Sequence, residues 1–415
     1  MDKTINGEKI ESTVLFEGTE MMEKIDQGAS AIANTYGRFP ICFESGEGLY
    51  LKDTAGKVYL DFVAGIAVNL LGHGDKQYAE VLKKQAESLV HVSNLYWNAQ
   101  NIKLAQTLTS VSGLDKAFFC NSGAEANEAA LKFARIYGEN EKYEIITMSN
   151  SFHGRTMGAL ALTGQTKYQA SFSPLLPGVK YVPFNDSEAL KSTIGDQTVA
   201  IMVEVIQGEG GIVEITPEFA KTISELCVEK NLLLIVDEVQ TGIGRTGQYF
   251  GYQNYGLKPD VVSCAKGLGG GFPIGATLVS EKVAQKLTPS CHASTFGGTA
   301  LASAASNYVL GEIESRHLLD NVNEMGQYLQ EQLLTIQSQF DVIKAVKGKG
   351  LIQGIEIDDT LPTSKIVNSA IEKGLLLVGA GHQVIRFVPP LIVEQKHIDE
   401  MIGILKSVLE ALSSN

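Results

Sequence analysis

Along the chain, short uninterrupted apolar runs alternate with stretches in which apolar positions recur every three or four residues. The runs are AFFC at 117–120, residues 144–148, VAIMVEV at 199–205, LLLIV at 232–236, VVSC at 261–264 and residues 275–279. Each has the length and composition of a strand buried on both faces. Helical spacing takes over between several of them. In the plainest case Pro217 follows Thr216 as a first-turn proline, and Phe219, Ile223, Leu226 and Cys227 then share one face. Alternation of this kind predicts a mainly parallel sheet covered by helices, with ligands at the strand carboxyl ends. A TIM barrel shows similar alternation.

The pattern differs at both ends. Residues 1–34 are acidic and weakly amphipathic, and predict an arm ending in a helix. GLYLKDTAGKVYLDF at 48–62 predicts a hairpin with its turn at Thr54 to Lys57, and a helix is expected to begin after Asp75. Beyond a long helical region around 300–338 come GKGLIQGIEI at 348–357, LLLV at 375–378 and VIRFVPP at 384–390. A final helix carries Ile398, Met401, Ile402, Leu405, Leu409 and Leu412. These predict a second, smaller α/β domain.

Composition narrows the partners. With a formal net charge of −13, nucleic acid and anionic membrane surfaces would repel the chain. The five cysteines, at 42, 120, 227, 264 and 291, are scattered and lack CxxC spacing, which reads as reduced core residues of a cytoplasmic protein rather than a disulfide or metal framework. No apolar run approaches the ~20 residues of a membrane span, and the N-terminal residues show no targeting signal.

Candidate chemistry sits where the apolar runs stop. LLLIV runs directly into Asp237 and Glu238, and an acid at a buried strand tip needs exposure or a cationic partner. Lys266 stands just past VVSC and is followed by Gly267, Gly269, Gly270 and Gly271, which let the backbone approach something bulky. Ser122, Gly123 and Ala124 lie between AFFC and a helix, so their amides form a natural anion cradle, although such turns also start helices that bind nothing. In SFHGRT, Phe152 offers a flat ring and Arg155 a guanidinium suited to a carboxylate. A lysine at a sheet's mouth, an acid on a neighbouring strand and a phosphate site together describe pyridoxal phosphate chemistry.

DEVQTGIGRTG at 237–247, AKGLGGGFPIGA at 265–276, NSGAEANEAALKFAR at 121–135 and SFHGRTMGALALTG at 151–164 resemble the class III pyridoxal phosphate aminotransferases, and among them the acetylornithine aminotransferases. The resemblance runs from about Thr35 to the end of the chain. It implies a fold type I architecture: residues 1–75 as arm and segment packing with the small domain, 76–315 as the large cofactor-binding domain with a mainly parallel sheet, and 316–415 as the small α/β domain. It also implies roles: Ser122, Gly123 and Ala124 for the cofactor phosphate; Phe152 for stacking; Asp237 for the pyridine nitrogen; Gln240 for the ring hydroxyl; and Lys266 as the Schiff base lysine and proton carrier. Arg155 would grip a substrate carboxylate. Ser294 and Thr295 would serve the neighbouring subunit's site, the threonine at phosphate and the serine at substrate, which requires a homodimer with shared active sites. Arg386 would bind the α-carboxylate of 2-oxoglutarate and be neutralised by Glu209 when the amine donor is present. No metal is expected. The implied donor is N-acetylornithine, with succinylornithine, ornithine, putrescine and 4-aminobutyrate open. Two departures from the family pattern stand out: Thr299 and Ala300 replace Asn-Pro, and LGHGDK at 71–76 replaces Gly-His-x-His-Pro.

Overall fold

The computed structural model describes residues 20–413, preceded by the backbone of two short paired strands, Thr4–Ile5 and Glu8–Lys9. The expected helix of the N-terminal arm is Glu20–Ala31; residues 1–3, 6–7 and 10–19 of the arm lie outside the described ones.

Seven strands form the central sheet: β1 (Lys116–Cys120), β2 (Glu144–Met148), β3 (Val179–Val182), β4 (Thr198–Val203), β5 (Leu233–Asp237), β6 (Val261–Cys264) and β7 (Gly275–Val279). Their spatial order is β1-β7-β6-β5-β4-β2-β3. All neighbours from β6 to β3 pair in parallel, while β7 runs antiparallel to both β6 and β1. Consecutive side chains of β5 go to opposite faces and enter different cores. Leu234 and Val236 pack with Phe219, Ile223 and Phe250, whereas Leu233 and Ile235 pack with Ala129, Ala130 and Phe133. That is why the sequence reads as a continuous apolar run rather than an alternating one. At roughly 1.5–3 kcal/mol for each fully buried aliphatic side chain, this double burial is the main force holding the sheet.

A second, four-stranded sheet is antiparallel, in the order Ile343–Lys349, Ile352–Ile357, Val384–Phe387, Val378–Ala380. A third joins Phe43–Glu47, Tyr50–Asp53 and Val58–Asp61 to Leu375–Leu376. The predicted hairpin is present, its turn closed by Asp53 Oδ1 accepting from the Ala55 and Lys57 amides, both at 2.9 Å. The LLLV run is not one strand. Leu375 pairs with Leu60 and Val378 with Arg386, so the run passes from one sheet to another and ties an N-terminal hairpin to the C-terminal strands. The helical region is also interrupted: Ala300–Ser315 and Leu318–Gln337 are separated at His317, whose φ of 52° is left-handed and breaks the helical bonding.

Both departures from the family pattern find local substitutes. Thr299 caps its helix by accepting from Ala302 N at 3.1 Å. Asp75 does the same for the helix after LGHGD, accepting from Tyr78 N at 2.8 Å. None of the helices among the described residues is long and apolar enough to cross a membrane.

Candidate active site

The carboxyl ends of the parallel strands open on a cavity of about 400 Å³. Most of its polar groups arrive at strand ends or in the loops that follow them.

β5 delivers Asp237, which is 4% exposed. Its Oδ2 accepts from Asn127 Nδ2 at 2.8 Å and lies 2.7 Å from His153 Nδ1, and its Oδ1 accepts from Val239 N at 2.9 Å. The two partners of Oδ2 are themselves held: Ser263 donates to Asn127 Oδ1 at 2.6 Å, and His153 Nε2 lies 3.1 Å from Thr147 Oγ1. The carboxyl group is thus fixed in one orientation at the cavity wall.

β4 ends at Val203, and the next residue, Glu204, also faces the cavity. It accepts from Phe152 N at 3.1 Å, and burial together with the Asp237 charge pushes its carboxyl well above the usual range. One tip therefore presents a fixed acceptor and the adjacent one a carboxyl whose ionisation burial opposes.

Lys266 follows β6 with φ 45°, a left-handed conformation that costs about 1–3 kcal/mol in a non-glycine residue and aims its side chain into the cavity. Burial, helped by the Arg386 cation, lowers its ammonium pKa against the pull of Glu209, Asp237 and Glu204. An amine shifted this way loses its proton more readily, as a nucleophile or general base requires.

Beyond β1, Ser122 caps the helix Gly123–Tyr137 by accepting from Glu125 N at 3.2 Å. The amides of Gly123 and Ala124 fall in its first turn, where no intrahelical acceptor exists, and point an anion site at the cavity. The approach is close: a Cβ on Gly123 would lie 2.7 Å from Val239 Cγ1, and one on Gly275 would lie 2.5 Å from the Ser122 carbonyl.

Phe152 and Arg155 line the opposite wall. The Arg155 guanidinium lies 4.1 Å from the Tyr168 ring centroid, and Tyr168 meets Phe152 edge-on at 5.6 Å. Tyr168 therefore holds an otherwise exposed cation in place through its ring face. Gln240, also on the wall, accepts from Arg386 Nη1 at 2.8 Å, and the same nitrogen donates to Glu209 Oε1 at 2.6 Å. Burial opposes ionisation of Glu209, but Arg386 and Lys266 outweigh it and hold its pKa below the usual range. A Cβ on Gly208 would lie 2.3 Å from Gln240 Oε1, so only glycine leaves room for this junction.

The fold thus gathers Ser122, Gly123, Ala124, Phe152, Arg155, Asp237, Gln240 and Lys266 around one cavity, with Glu209 and Arg386 joined to it through Gln240. Ser294 and Thr295 stand outside. Ser294 Oγ accepts from Asn121 Nδ2 at 3.3 Å, one residue removed from the cavity, and Thr295 is exposed. Sequence reasoning missed Glu204, Asn127 and Tyr168. Glu204 carried a usable signal, since VAIMV runs into an acid much as LLLIV does. Asn127 and Tyr168 carried none, because their positions depend on packing between distant segments. Among the described residues no cluster of His, Cys, Asp and Glu could hold a metal ion.

The family described as Aminotransferase class-III matches residues 31–409. An acetylornithine aminotransferase from Caldanaerobacter subterraneus is 53% identical over 92% of this chain and 98% of its own length, and one from Clostridium acetobutylicum is 48% identical over 92% and 99%. Among solved structures, an ornithine aminotransferase from Toxoplasma gondii superposes with a TM-score of 0.91 at 29% identity, covering 96% of this chain and 97% of that one. The N-acetylornithine aminotransferase of Stenotrophomonas maltophilia superposes with a TM-score of 0.81 at 33% identity, covering 94% and 99%.

Proposed function

The chain belongs to the class III aminotransferases, and from that premise we propose that it transfers the terminal amino group of N2-acetyl-L-ornithine to 2-oxoglutarate, giving N-acetyl-L-glutamate 5-semialdehyde and L-glutamate in arginine biosynthesis. The observation that carries this reading is the meeting of Lys266, Asp237 and the Gly123–Ala124 helix start on one cavity that adjoins the Glu209–Arg386 pair.

Pyridoxal 5'-phosphate is the cofactor, and the residues fit it. First-turn amides suit its phosphate, the glycine positions let the backbone close on a flat ring, and an oriented carboxyl group suits its pyridine nitrogen. When bound, it supplies a carbonyl that joins amines and a ring that accepts the electron pair released at the substrate carbon. This chain's residues do the rest. Lys266, with its lowered pKa, would hold the cofactor through its carbonyl and, once released, would serve as the base and acid that carries the substrate proton. Asp237 would keep the pyridine nitrogen protonated, Gln240 would serve the ring hydroxyl, and Phe152 would cover the ring. Arg155 orients a substrate carboxylate. Glu209 neutralises Arg386 while the donor is bound and yields it to the α-carboxylate of 2-oxoglutarate, so that neither substrate leaves a buried charge unpaired. The structure holds that pair closed.

The site is completed by Ser294 and Thr295 of a second copy, the enzyme being a cytoplasmic homodimer with shared sites. The domains divide as 1–75, 76–315 and 316–415. Relatives at 44–53% identity carry the acetylornithine name, whereas the ornithine aminotransferase structure is 29% identical. The deciding assay is a panel of acetylornithine, succinylornithine, ornithine, putrescine and 4-aminobutyrate with 2-oxoglutarate as acceptor. Acetylornithine should give the highest kcat/KM; preference for unacylated ornithine or 4-aminobutyrate would overturn the assignment.

A further inference from the structure

Arg245 is fully buried in the loop that follows β5, with no carboxylate within ion-pair distance among the described residues. Its Nη1 donates to the Leu351 carbonyl at 3.0 Å and to the Pro389 carbonyl, and its own carbonyl accepts from Leu351 N at 3.0 Å. Nε and Nη2 reach no protein acceptor. Burial without a counter-charge lowers the guanidinium pKa to about 9. A well-packed apolar side chain would satisfy stability better at such a place, so the contacts themselves point to its purpose.

One of them, to Pro389, falls close in sequence to the site. Arg386 stands three residues before Pro389, and Gln240 five residues before Arg245. The same two segments are therefore tied twice, once through Gln240 and Arg386 at 2.8 Å and once through Arg245 and Pro389. The Gln240 loop is held on its large-domain side as well, where Glu238 accepts from the Gly251 and Tyr252 amides at 2.8 and 2.7 Å.

We infer that Arg245 is a positioning residue for the 2-oxoglutarate half of the reaction: by gripping the Leu351 and Pro389 carbonyls it sets where Arg386 stands relative to Glu209 and Gln240. This rests on Arg386 being the α-carboxylate site. A lysine at 245 keeps the charge, but its nitrogen sits one bond short of Nη1, the single atom that reaches both carbonyls.

The test measures both half-reactions separately in Arg245→Lys, following the absorbance of the bound cofactor, with Arg245→Gln as a second variant should the first not fold. The KM for 2-oxoglutarate should rise about tenfold while the donor half-reaction changes less than about twofold. In an Arg386→Ala background the Arg245 change should add nothing further. Equal losses in both halves, a lowered melting point with an unchanged KM ratio, or a full repeat of the tenfold effect without Arg386 would each overturn the inference. If Arg386→Ala alone leaves the 2-oxoglutarate KM unchanged, the carboxylate assignment fails and this inference falls with it. That result is distinct from a silent Arg245 variant in an enzyme that responds to loss of Arg386.

Discussion

Arg386→Ala separates the two substrates of the site. The guanidinium is 1% exposed and makes two short hydrogen bonds, to Glu209 at 2.6 Å and Gln240 at 2.8 Å. Removing one partner of a buried, hydrogen-bonded charge pair costs about 2–5 kcal/mol. The Glu209 side chain is 24% exposed, so solvent screens part of the interaction and the lower half of that range applies. Taking about 3 kcal/mol, and tenfold for every 1.4 kcal/mol, kcat/KM for 2-oxoglutarate should fall roughly 100-fold. The donor meets Arg386 only in its neutralised form, so its half-reaction should lose less than about tenfold. Stopped-flow single turnovers with each substrate alone resolve the two losses. If both halves fall by the same factor, Arg386 is a structural ion-pair partner and the switching argument is wrong.

Lys266→Ala should retain the cofactor through dialysis yet show no turnover, and full activity would remove the lysine from the mechanism. Mixed with Thr295→Ala and allowed to exchange subunits, it should regain activity, because each heterodimer then contains one site with both residues intact; no recovery would mean that Thr295 serves its own subunit. Glu238 is fully buried, and burial raises its carboxyl to about 7 although Thr241, Gly251 and Tyr252 all donate to it. The native state thus binds a proton that the unfolded state releases near 4.5. Its contribution to stability is complete below pH 4.5 and lost as pH rises through about 7, by up to about 3 kcal/mol. Denaturant melts of Glu238→Gln should lack that slope relative to wild type, and an unchanged slope would refute the assignment. Gly275→Ala places a methyl 2.5 Å from the Ser122 carbonyl, which should cost about 1–3 kcal/mol and loosen cofactor retention, as equilibrium dialysis would show.

Much of the large sheet was legible in the sequence because burial on both faces leaves a mark that needs no partner to read. Leu232 to Val236 are apolar at every position, and the acid that ends the run announces a strand tip facing something polar. The glycines after Lys266 and the Ser-Gly-Ala turn at 122–124 were legible for the same local reason, and the family blocks that contain them supplied the roles. What the tertiary structure decided are relations between segments. LLLV could not reveal that it divides between two sheets, because each half is equally apolar and only the partners, Leu60 and Arg386, differ. Asp237 owes its orientation to Asn127 and His153, 110 and 84 residues away, and the Glu204 carboxyl owes its raised pKa to burial and to the neighbouring Asp237. Periodicity records how deeply a residue is buried. The field at a buried group depends on which distant atoms the strand order brings within a few ångströms, and that information exists only once the sheet has closed.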